Sequence, residues 1–412
     1  MSRNRIRSTR TDIALLFTAR GVRGLGDGFA IIILPAYLSA IGFDAVQIGI
    51  IVSASLFGTA LLTLAVGFIA PRHDLRAFLL GGATLMACTG LAFPNAELFA
   101  VVAIVAFVGT INPSTGDLGV LVPLEHAMLA QGVADHERTR TFARYSLIGA
   151  LSMAAGSLAA ALPDFITSAG LDWLSAFKIM FYAYAVLGLV CAALYWLLPH
   201  ARMDESRPTA PLGPSRRVVY KLAALFSLDA FAGGFVVQSL LALWLFIRFD
   251  MSLTAASVFF FWTSTLSAFS YPVAAWLSKR FGLVNTMVFT HIPSSVFLIA
   301  AAFSPSLILA LALLLVRAAL SQMDVPTRTS YVMAVVTPGE RTAAASVTAV
   351  PRSLASSLSP AMAGALLAMP FSGLPLVICG VLKIAYDLAL LSSFRHIKPP
   401  EEQALQKQAI RG

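Results

Sequence analysis

Long apolar runs alternate with short polar segments along almost the whole chain. A helix crosses the hydrocarbon core of a bilayer with about 20 apolar residues. At that length the pattern predicts twelve membrane-spanning helices, near residues 13–38, 45–70, 77–94, 97–122, 142–162, 175–198, 219–247, 253–277, 286–304, 306–336, 343–368 and 373–394. The predicted fold class is an all-α integral membrane protein that is surrounded by a lipid bilayer.

The composition excludes a soluble fold. Only 12% of the 412 residues are charged and 58% are hydrophobic, whereas soluble domains carry roughly 25% charged residues. A water-soluble fold of this length exposes too much surface to hide so many apolar side chains. The formal net charge of +9 does not indicate nucleic-acid binding, because the basic residues lie between apolar runs and no aromatic residues alternate with them.

Basic residues collect in every second loop. The basic segments are the N-terminal tail and residues 70–76, 136–141, 199–218, 279–280, 341 and 395–398. The intervening loops hold mainly acidic residues, such as Asp44, Glu97 and Asp164. By the positive-inside rule, both termini and the 199–218 segment lie in the cytoplasm. The sequence therefore predicts a multi-pass protein of the inner (plasma) membrane.

The 199–218 segment is the best internal boundary, because its four prolines and interspersed charges suit neither a span nor a packed core. It separates six predicted spans from six. We expect an N-terminal half with a basic tail, a cytoplasmic linker, a C-terminal half and a cytoplasmic tail, at residues 1–198, 199–218, 219–394 and 395–412.

Short motifs recur at corresponding places in the two halves. His136-Glu-Arg-Thr139 follows the fourth span and Gly339-Glu-Arg-Thr342 follows the tenth. Arg144 and Arg352 then stand near the start of the next span in each half. Parallel repeats of this kind are a known transporter plan, with the substrate site between the halves near the middle of the membrane.

The segment after the second span resembles the loop signature of the major facilitator superfamily, Gly-x-Leu-Ala-Asp-Arg-x-Gly-Arg. Gly67, Ala70, Arg72 and Arg76 match it, while Pro71 and Asp74 replace its Asp and second Gly. Three further segments resemble family patterns: Leu277 to Gly282 with Arg280, Leu315-Val-Arg317 with Gln322, and the antiporter-type Ser359-Pro360-Ala-Met-Ala-Gly364.

The resemblance implies two pseudo-symmetric six-helix bundles that work by alternating access. It also implies that polar and aromatic residues on spans one, four, seven and ten line the substrate cavity: Tyr37, Asn112, Gln238 and Trp244. Arg72 and Arg280, in the matching loops, are candidates for a cytoplasmic gate or brace.

Ionisable residues inside predicted spans are functional candidates, because a charge in the bilayer interior is costly unless it is paired or hydrated. Asp27 lies near mid-depth in the first span, four residues after Arg23. It is either a protonatable carboxylate that lines the cavity or the partner of Arg23 in an ion pair within one helix. Asp229 in the seventh span is its loose counterpart, with proton transfer and structural pairing both open. Lys383 and Asp387, four residues apart, are expected to neutralise each other.

Spans four and ten carry the other polar clusters. Asn112 and Pro113 predict a broken helix that lines a cavity or kinks for packing, with Asp117 just beyond them. In the tenth span, Arg317 is placed to contact an anionic group or tune a nearby carboxylate, and Asp324 follows it.

These acidic residues offer two pairing schemes with the arginines that open the next spans. Within each half, Asp117 with Arg144 and Asp324 with Arg352 would brace a helix hairpin, which we favour because consecutive helices are usually neighbours. Across the halves, Asp117 with Arg352 and Asp324 with Arg144 would close the cytoplasmic side.

The sequence predicts a secondary active transporter that couples proton movement to export of a small organic or toxic solute. Proton-coupled uptake, or uniport of a small metabolite, is the alternative. The chain has no GxxxxGK[ST] nucleotide loop, no readable catalytic constellation and no His or Cys spacing for a metal. We therefore expect no enzyme activity and no cofactor, and we expect a monomer whose partners are protons and a small-molecule substrate.

Overall fold

The computed structural model describes residues 2–114, 119–133, 135–201 and 212–394, and every regular element in these ranges is helical. The first half of the chain forms α1 (Ser2–Ala40), α2 (Ala45–Ile69), α3 (Leu75–Ala92), α4 (Phe99–Val108), α5 (Leu121–Gly132), α6 (Asp135–Ala159), α7 (Leu162–Ser168) and α8 (Trp173–Trp196). The second half forms α9 (Arg216–Gly234), α10 (Gln238–Phe249), α11 (Leu253–Phe281), α12 (Leu283–Ala302), α13 (Leu307–Ser321), α14 (Asp324–Val335), α15 (Arg341–Leu367) and α16 (Leu374–Phe394).

The helices confirm the predicted all-α membrane fold. Ten helical stretches of the described chain are long and apolar enough to cross a membrane. They do not include the interrupted pair α4 and α5 or the serine-rich α15. The predicted seventh and tenth spans consist of two helices each, α9 with α10 and α13 with α14. The predicted fourth span, 97–122, is also interrupted, but it contains α4 and only the first two residues of α5, which continues to Gly132. Interrupted helices are typical of transporter binding sites, because non-helical backbone inside a membrane needs polar surroundings.

The described residues form two compact units. The first draws on Met1–Ser206, Val237–Thr265 and Pro360–Pro370, and the second on Arg207–Val236, Leu266–Ser359 and Phe371–Gly412. Much of the 199–218 linker lies outside the described residues, so the predicted six-plus-six division stays a prediction.

In the first unit, α1 packs against α6, α8 and α10. Glycines allow α1 and α6 to touch backbone to backbone. A Cβ atom at Gly28 would lie 2.2 Å from the carbonyl oxygen of Met153, and one at Gly156 would lie 2.2 Å from that of Leu25. Close contact of this kind through small residues is a main source of helix association in membranes.

In the second unit, α12 packs against α13, α14 and α16, and α16 also packs against α9. The apolar core of this unit includes Val219 and Phe226 of α9, Met287 of α12, and Leu390 of α16. Buried charged residues of the unit, among them Asp229, Arg328 and Asp387, lie on these helices, so the packing decides which of those groups meet.

Two carboxylates fasten loops outside the membrane-spanning helices. Asp74 caps α3 and accepts hydrogen bonds from His200 and from the N–H groups of Ala201 and Arg76. Burial opposes ionisation of Asp74, but these bonds outweigh it and lower the pKa of its carboxyl group. Asp74, which stands where the family loop signature has its second glycine, thereby connects the 70–76 loop to the end of the sixth span.

Glu340, in the second copy of the Glu-Arg-Thr motif, does the same in the second unit. It accepts hydrogen bonds from the Thr337 and Ser215 hydroxyls and from the N–H of Gly213. The bond from Thr337, together with the other two, lowers the pKa of Glu340 to about 2.

Candidate functional site

The interruption of the fourth span places non-helical backbone beside polar side chains of the first unit. The Ser55 hydroxyl donates to the carbonyl oxygen of Ile111, and the Thr89 hydroxyl accepts from the N–H of Thr110. The carbonyl oxygen of Pro113 accepts a hydrogen bond of 3.1 Å from the N–H of Ser239, in the first turn of α10. Polar neighbours thus satisfy the backbone groups that the break frees, as the sequence predicted for Pro113.

A cavity with about 610 Å³ of empty space opens next to this break. Its polar lining includes Arg20, Arg23, Asp27, Thr110, Asn112 and Tyr184. The first residues of α5 also line it. A volume of several hundred Å³ with a few polar groups on apolar walls is typical of small-molecule sites. The structure therefore brings three predicted site residues, Arg23, Asp27 and Asn112, to one cavity.

Asp27 is the partly exposed carboxylate of this cavity. The Tyr184 hydroxyl donates to it over a long 3.4 Å, and Tyr184 is in turn 3.4 Å from the hydroxyl of Thr110. Asp27 forms no ion pair with any residue that the structure describes. The ion pair with Arg23, one of the two alternatives that the sequence left open, does not form, because Arg23 pairs with an acidic residue on another helix. Asp27 thus lines the cavity without a cationic hydrogen-bond partner among the described residues.

The acidic partner of Arg23 is Glu125 on α5. The Arg23 guanidinium donates to Glu125 at 2.6 Å, and the hydroxyls of Tyr145 and Tyr195 also donate to this carboxylate. Glu125 has no exposed surface and Arg23 is 6% exposed. Arg20 stacks its guanidinium over the Tyr145 ring, 5.3 Å from the centroid. The cluster fixes Arg23 at the edge of the cavity while neutralising its charge.

A second set of charged side chains links three helices inside the second unit. Lys383 of α16 donates to Asp229 of α9 at 2.7 Å. Arg328 of α14 donates to the other oxygen of Asp229 at 3.1 Å and to Asp324 at 3.0 Å. Asp229 therefore has two cationic partners, which is the pairing role that the sequence left open beside proton transfer.

The predicted pair of Lys383 with Asp387 does not form. Asp387 instead contacts the Nδ1 atom of His291 on α12, at 3.1 and 3.0 Å from its two oxygens. The Nε2 atom of the same ring lies 3.2 Å from the Lys383 ammonium nitrogen. Lys383 is long enough to reach α9, and this contact between helices replaces the contact within α16.

The bracing pair of Asp324 with Arg352 is also wrong. Asp324 pairs with Arg328, four residues along α14, and Arg352 has no ion pair among the described residues. Asp117, the acidic member of the other brace, lies outside the described residues. The candidate gate or brace arginines Arg72, Arg144 and Arg280 are exposed.

The remaining predicted cavity residues take other positions. Tyr37 is fully buried among aromatic rings and donates to the carbonyl oxygen of Phe93. Trp244 is 1% exposed, so neither side chain lines an open cavity. Gln238 begins α10, with its buried amide oxygen unpartnered among the described residues. Arg317 is partly buried on α13, and no ion pair joins it to another residue that the structure describes.

Two residues at the centre of these clusters had no assigned role. They are Glu125 of α5 and His291 of α12. Their charged hydrogen-bond partners are 92 to 102 positions away in sequence, so no spacing rule finds them. The available signal was their occurrence as ionisable residues inside apolar runs.

These features define a class of protein. Membrane-length helices, interrupted spans, a polar cavity and buried charges are those of a membrane transporter. The chain belongs to the Major Facilitator Superfamily, whose family model matches residues 16–360. The protein is accordingly a multi-pass membrane protein with the fold of a secondary transporter, and its family points to transport and not to enzymatic catalysis.

Similar proteins cover nearly the whole chain. The uncharacterized membrane protein YJR124C of Saccharomyces cerevisiae is 25% identical, covering 93% of this chain and 94% of its own length. Among solved structures, the nucleoside transporter NupG is 14% identical with a TM-score of 0.72, covering 93% of this chain and 99% of its own. An inward-facing bacterial homologue of the human lysosomal transporter Spinster is 15% identical with a TM-score of 0.68, covering 93% and 95%. At these identities the solved structures support the fold alone.

Proposed function

We propose that this protein is a proton-coupled secondary transporter in which Asp27 carries the coupling proton. The observation that carries the proposal is the contrast between two carboxylates. Glu125 is fully buried and accepts hydrogen bonds from three side chains. Asp27 instead faces a cavity of about 610 Å³ and has no ion pair among the described residues. A group that must gain and lose a proton needs contact with water and no permanent cation.

The cavity around Asp27 is the proposed substrate site. The side chain of Asn112 provides both a hydrogen-bond donor and an acceptor, and Met86 and Met153 provide apolar surface. This mixture suits a small polar organic solute. Because Asp27 and the solute share one cavity, protonation of Asp27 changes the charge that the solute meets.

Export of the solute is the proposed direction. Its support is the likeness of Ser359–Gly364 to the antiporter-type helix motif. In the first unit, this motif lies against α2: a Cβ atom at Gly364 would be 2.3 Å from the carbonyl oxygen of Ala45. The alternating basic loops support cytoplasmic termini and an inner (plasma) membrane location, since basic loops stay on the cytoplasmic side.

The test starts from thermal-shift screening of the purified protein against a library of organic cations, organic anions and metalloid species. The solute that stabilises the protein most is then followed in oriented vesicles with and without a pH gradient. Asp27→Asn is expected to lose accumulation against a gradient and to keep exchange of solute for solute. Asparagine retains the acceptor for Tyr184 but cannot take up a proton.

Glu97→Gln is the matched control, because Glu97 is an exposed loop carboxylate whose neutralisation should leave both activities unchanged. Uphill transport by Asp27→Asn at the parental rate would show that Asp27 is not the coupling group. Accumulation with the proton gradient, in place of movement against it, would assign the protein as an uptake symporter. Movement that ignores the gradient would assign it as a uniporter.

A further inference from the structure

The second unit holds a buried His–Asp pair that the proposed role of Asp27 does not use. His291 on α12 and Asp387 on α16 are 3% and 0% exposed, with ring Nδ1 3.0 Å from a carboxylate oxygen. On the other side of the ring, Nε2 lies 3.2 Å from the Lys383 nitrogen and 3.9 Å from an oxygen of Asp229. The imidazole thus stands between one carboxylate and one ion pair.

The contacts determine where the protons of this group lie. The Lys383 ammonium can only donate, so Nε2 of His291 must be its acceptor. Nδ1 must then carry the ring proton and donate to Asp387. This arrangement leaves the ring neutral, and it leaves Asp387 as a buried carboxylate with no cationic hydrogen-bond partner among the described residues. A buried charge without a counter-ion is unfavourable.

The surrounding charges do not supply the missing counter-ion. Asp229 is already paired with Lys383 and Arg328, and Asp324 is paired with Arg328. Arg352 of α15 lies on the side of Arg328 and the two paired carboxylates, where it adds positive charge. Tyr386 and Cys379 of α16 also lie nearby and are neutral when protonated. One proton shared by His291 and Asp387 would turn the pair into an ion pair.

Binding of that proton would change the contact between Lys383 and the His291 ring. A second proton on the ring occupies Nε2, so two cationic donors would face each other across 3.2 Å. The hydrogen bond from Lys383 to the ring is then lost, and the ammonium group keeps Asp229 as its partner. Asp229 belongs to α9, the helix that ends at the interruption of the seventh span.

We infer that the His291–Asp387 pair is a proton-binding site, and that Lys383 transmits its occupancy to Asp229 on α9. The inference rests on the proposed proton coupling and deepens it, since it adds a second protonation site to the transporter. Protonation breaks the contact between α12 and α16 that Lys383 makes with the ring, while the contact between α16 and α9 is retained.

Nuclear magnetic resonance of the full-length protein with ¹⁵N-labelled histidine, in lipid vesicles, measures this site directly. The signal that disappears in His291→Gln belongs to His291. It is expected to change from a neutral ring protonated at Nδ1 to a doubly protonated ring as the pH falls from about 9 to about 4. His73→Gln, which removes an exposed histidine, should leave this titration unchanged.

Two variants test the partners. Asp387→Asn removes the counter-ion and is expected to lower the titration midpoint of His291 by about one to three pH units. Lys383→Gln removes the facing cation and is expected to raise the midpoint by a similar amount. Tryptophan fluorescence reports whether each variant is folded. If Asp387→Asn does not fold, the test is the comparison of the His291 midpoint between Lys383→Gln and the parent protein.

A His291 ring that stays neutral over the whole range would overturn the inference, as would a midpoint that neither variant moves. This readout needs no transport substrate. A titrating pair in a protein whose Asp27→Asn variant still transports uphill would refute the role of Asp27 and leave the proton site standing. A His291 ring that does not titrate, in a protein whose Asp27→Asn variant loses uphill transport, would refute the proton site and leave the role of Asp27 standing.

Discussion

Removal of the Glu125 carboxylate is expected to destabilise the first unit strongly. The Glu125→Ala variant leaves the Arg23 guanidinium, which is 6% exposed, without its acidic partner. Loss of one member of a buried ion pair costs about 3–5 kcal/mol. Tyr195→Phe removes one hydrogen bond to the same carboxylate, a bond of 2.7 Å, and should cost about 1.5–3 kcal/mol. The order of stability should therefore be parent, Tyr195→Phe and Glu125→Ala.

Thermal unfolding in detergent, followed by tryptophan fluorescence, measures this order. Glu97→Ala is the matched control, because Glu97 is exposed and surface changes usually stay within about 0.5 kcal/mol. The double variant Arg23→Met with Glu125→Leu removes both charges, so it should be more stable than Glu125→Ala alone. The reasoning fails if Glu125→Ala unfolds with the control, or if the double variant is no more stable than Glu125→Ala.

Two further predictions concern the close approach of α15 to α2 and the fastening of the loop before α15. Gly364→Ala should lower the free energy of unfolding by about 1–3 kcal/mol through overpacking. The control Gly67→Ala, in open space on α2, should leave the unfolding temperature unchanged. Equal effects of the two substitutions would show that the close contact is not the cause. Glu340 has a pKa lowered from 4.5 to about 2, so its stabilising effect is complete above about pH 4.5 and is lost as the pH falls to about 2. The stability difference between the parent and Glu340→Gln should shrink over that window. The control Glu137→Gln, at an exposed residue, should show no such change. A difference that stays constant down to pH 2 would contradict the stabilising role of the Glu340 carboxylate.

The lengths of the apolar runs were sufficient to predict the helical fold and the position of most spans. The interruption of the fourth span was also predictable, because Asn112 and Pro113 cannot continue an apolar helix without polar neighbours. Asp27, predicted near mid-depth of the first span, lines the same cavity as Asn112 and Arg23. These predictions depend on local composition, which the sequence displays directly.

The ion pairs were not predictable from spacing. Arg23 and Asp27, Asp324 and Arg328, and Lys383 and Asp387 are all four residues apart, yet only the second pair forms. In the other two cases a basic side chain reaches a carboxylate on another helix. A buried partner with additional donors is favoured over a neighbour on the same helix, and only the tertiary packing brings such a partner close.

Gly28 of α1 and Gly156 of α6 each bring the backbones of these two helices into contact. Because the two backbones are in contact at these glycines, we expect a displacement of α1 to move α6 with it. Leu151 on α6 is 44% exposed and lies away from the cavity lining. A fluorophore or spin label on a cysteine at this position would report the movement of the helix that bears Asp27, without occupying the proposed substrate cavity.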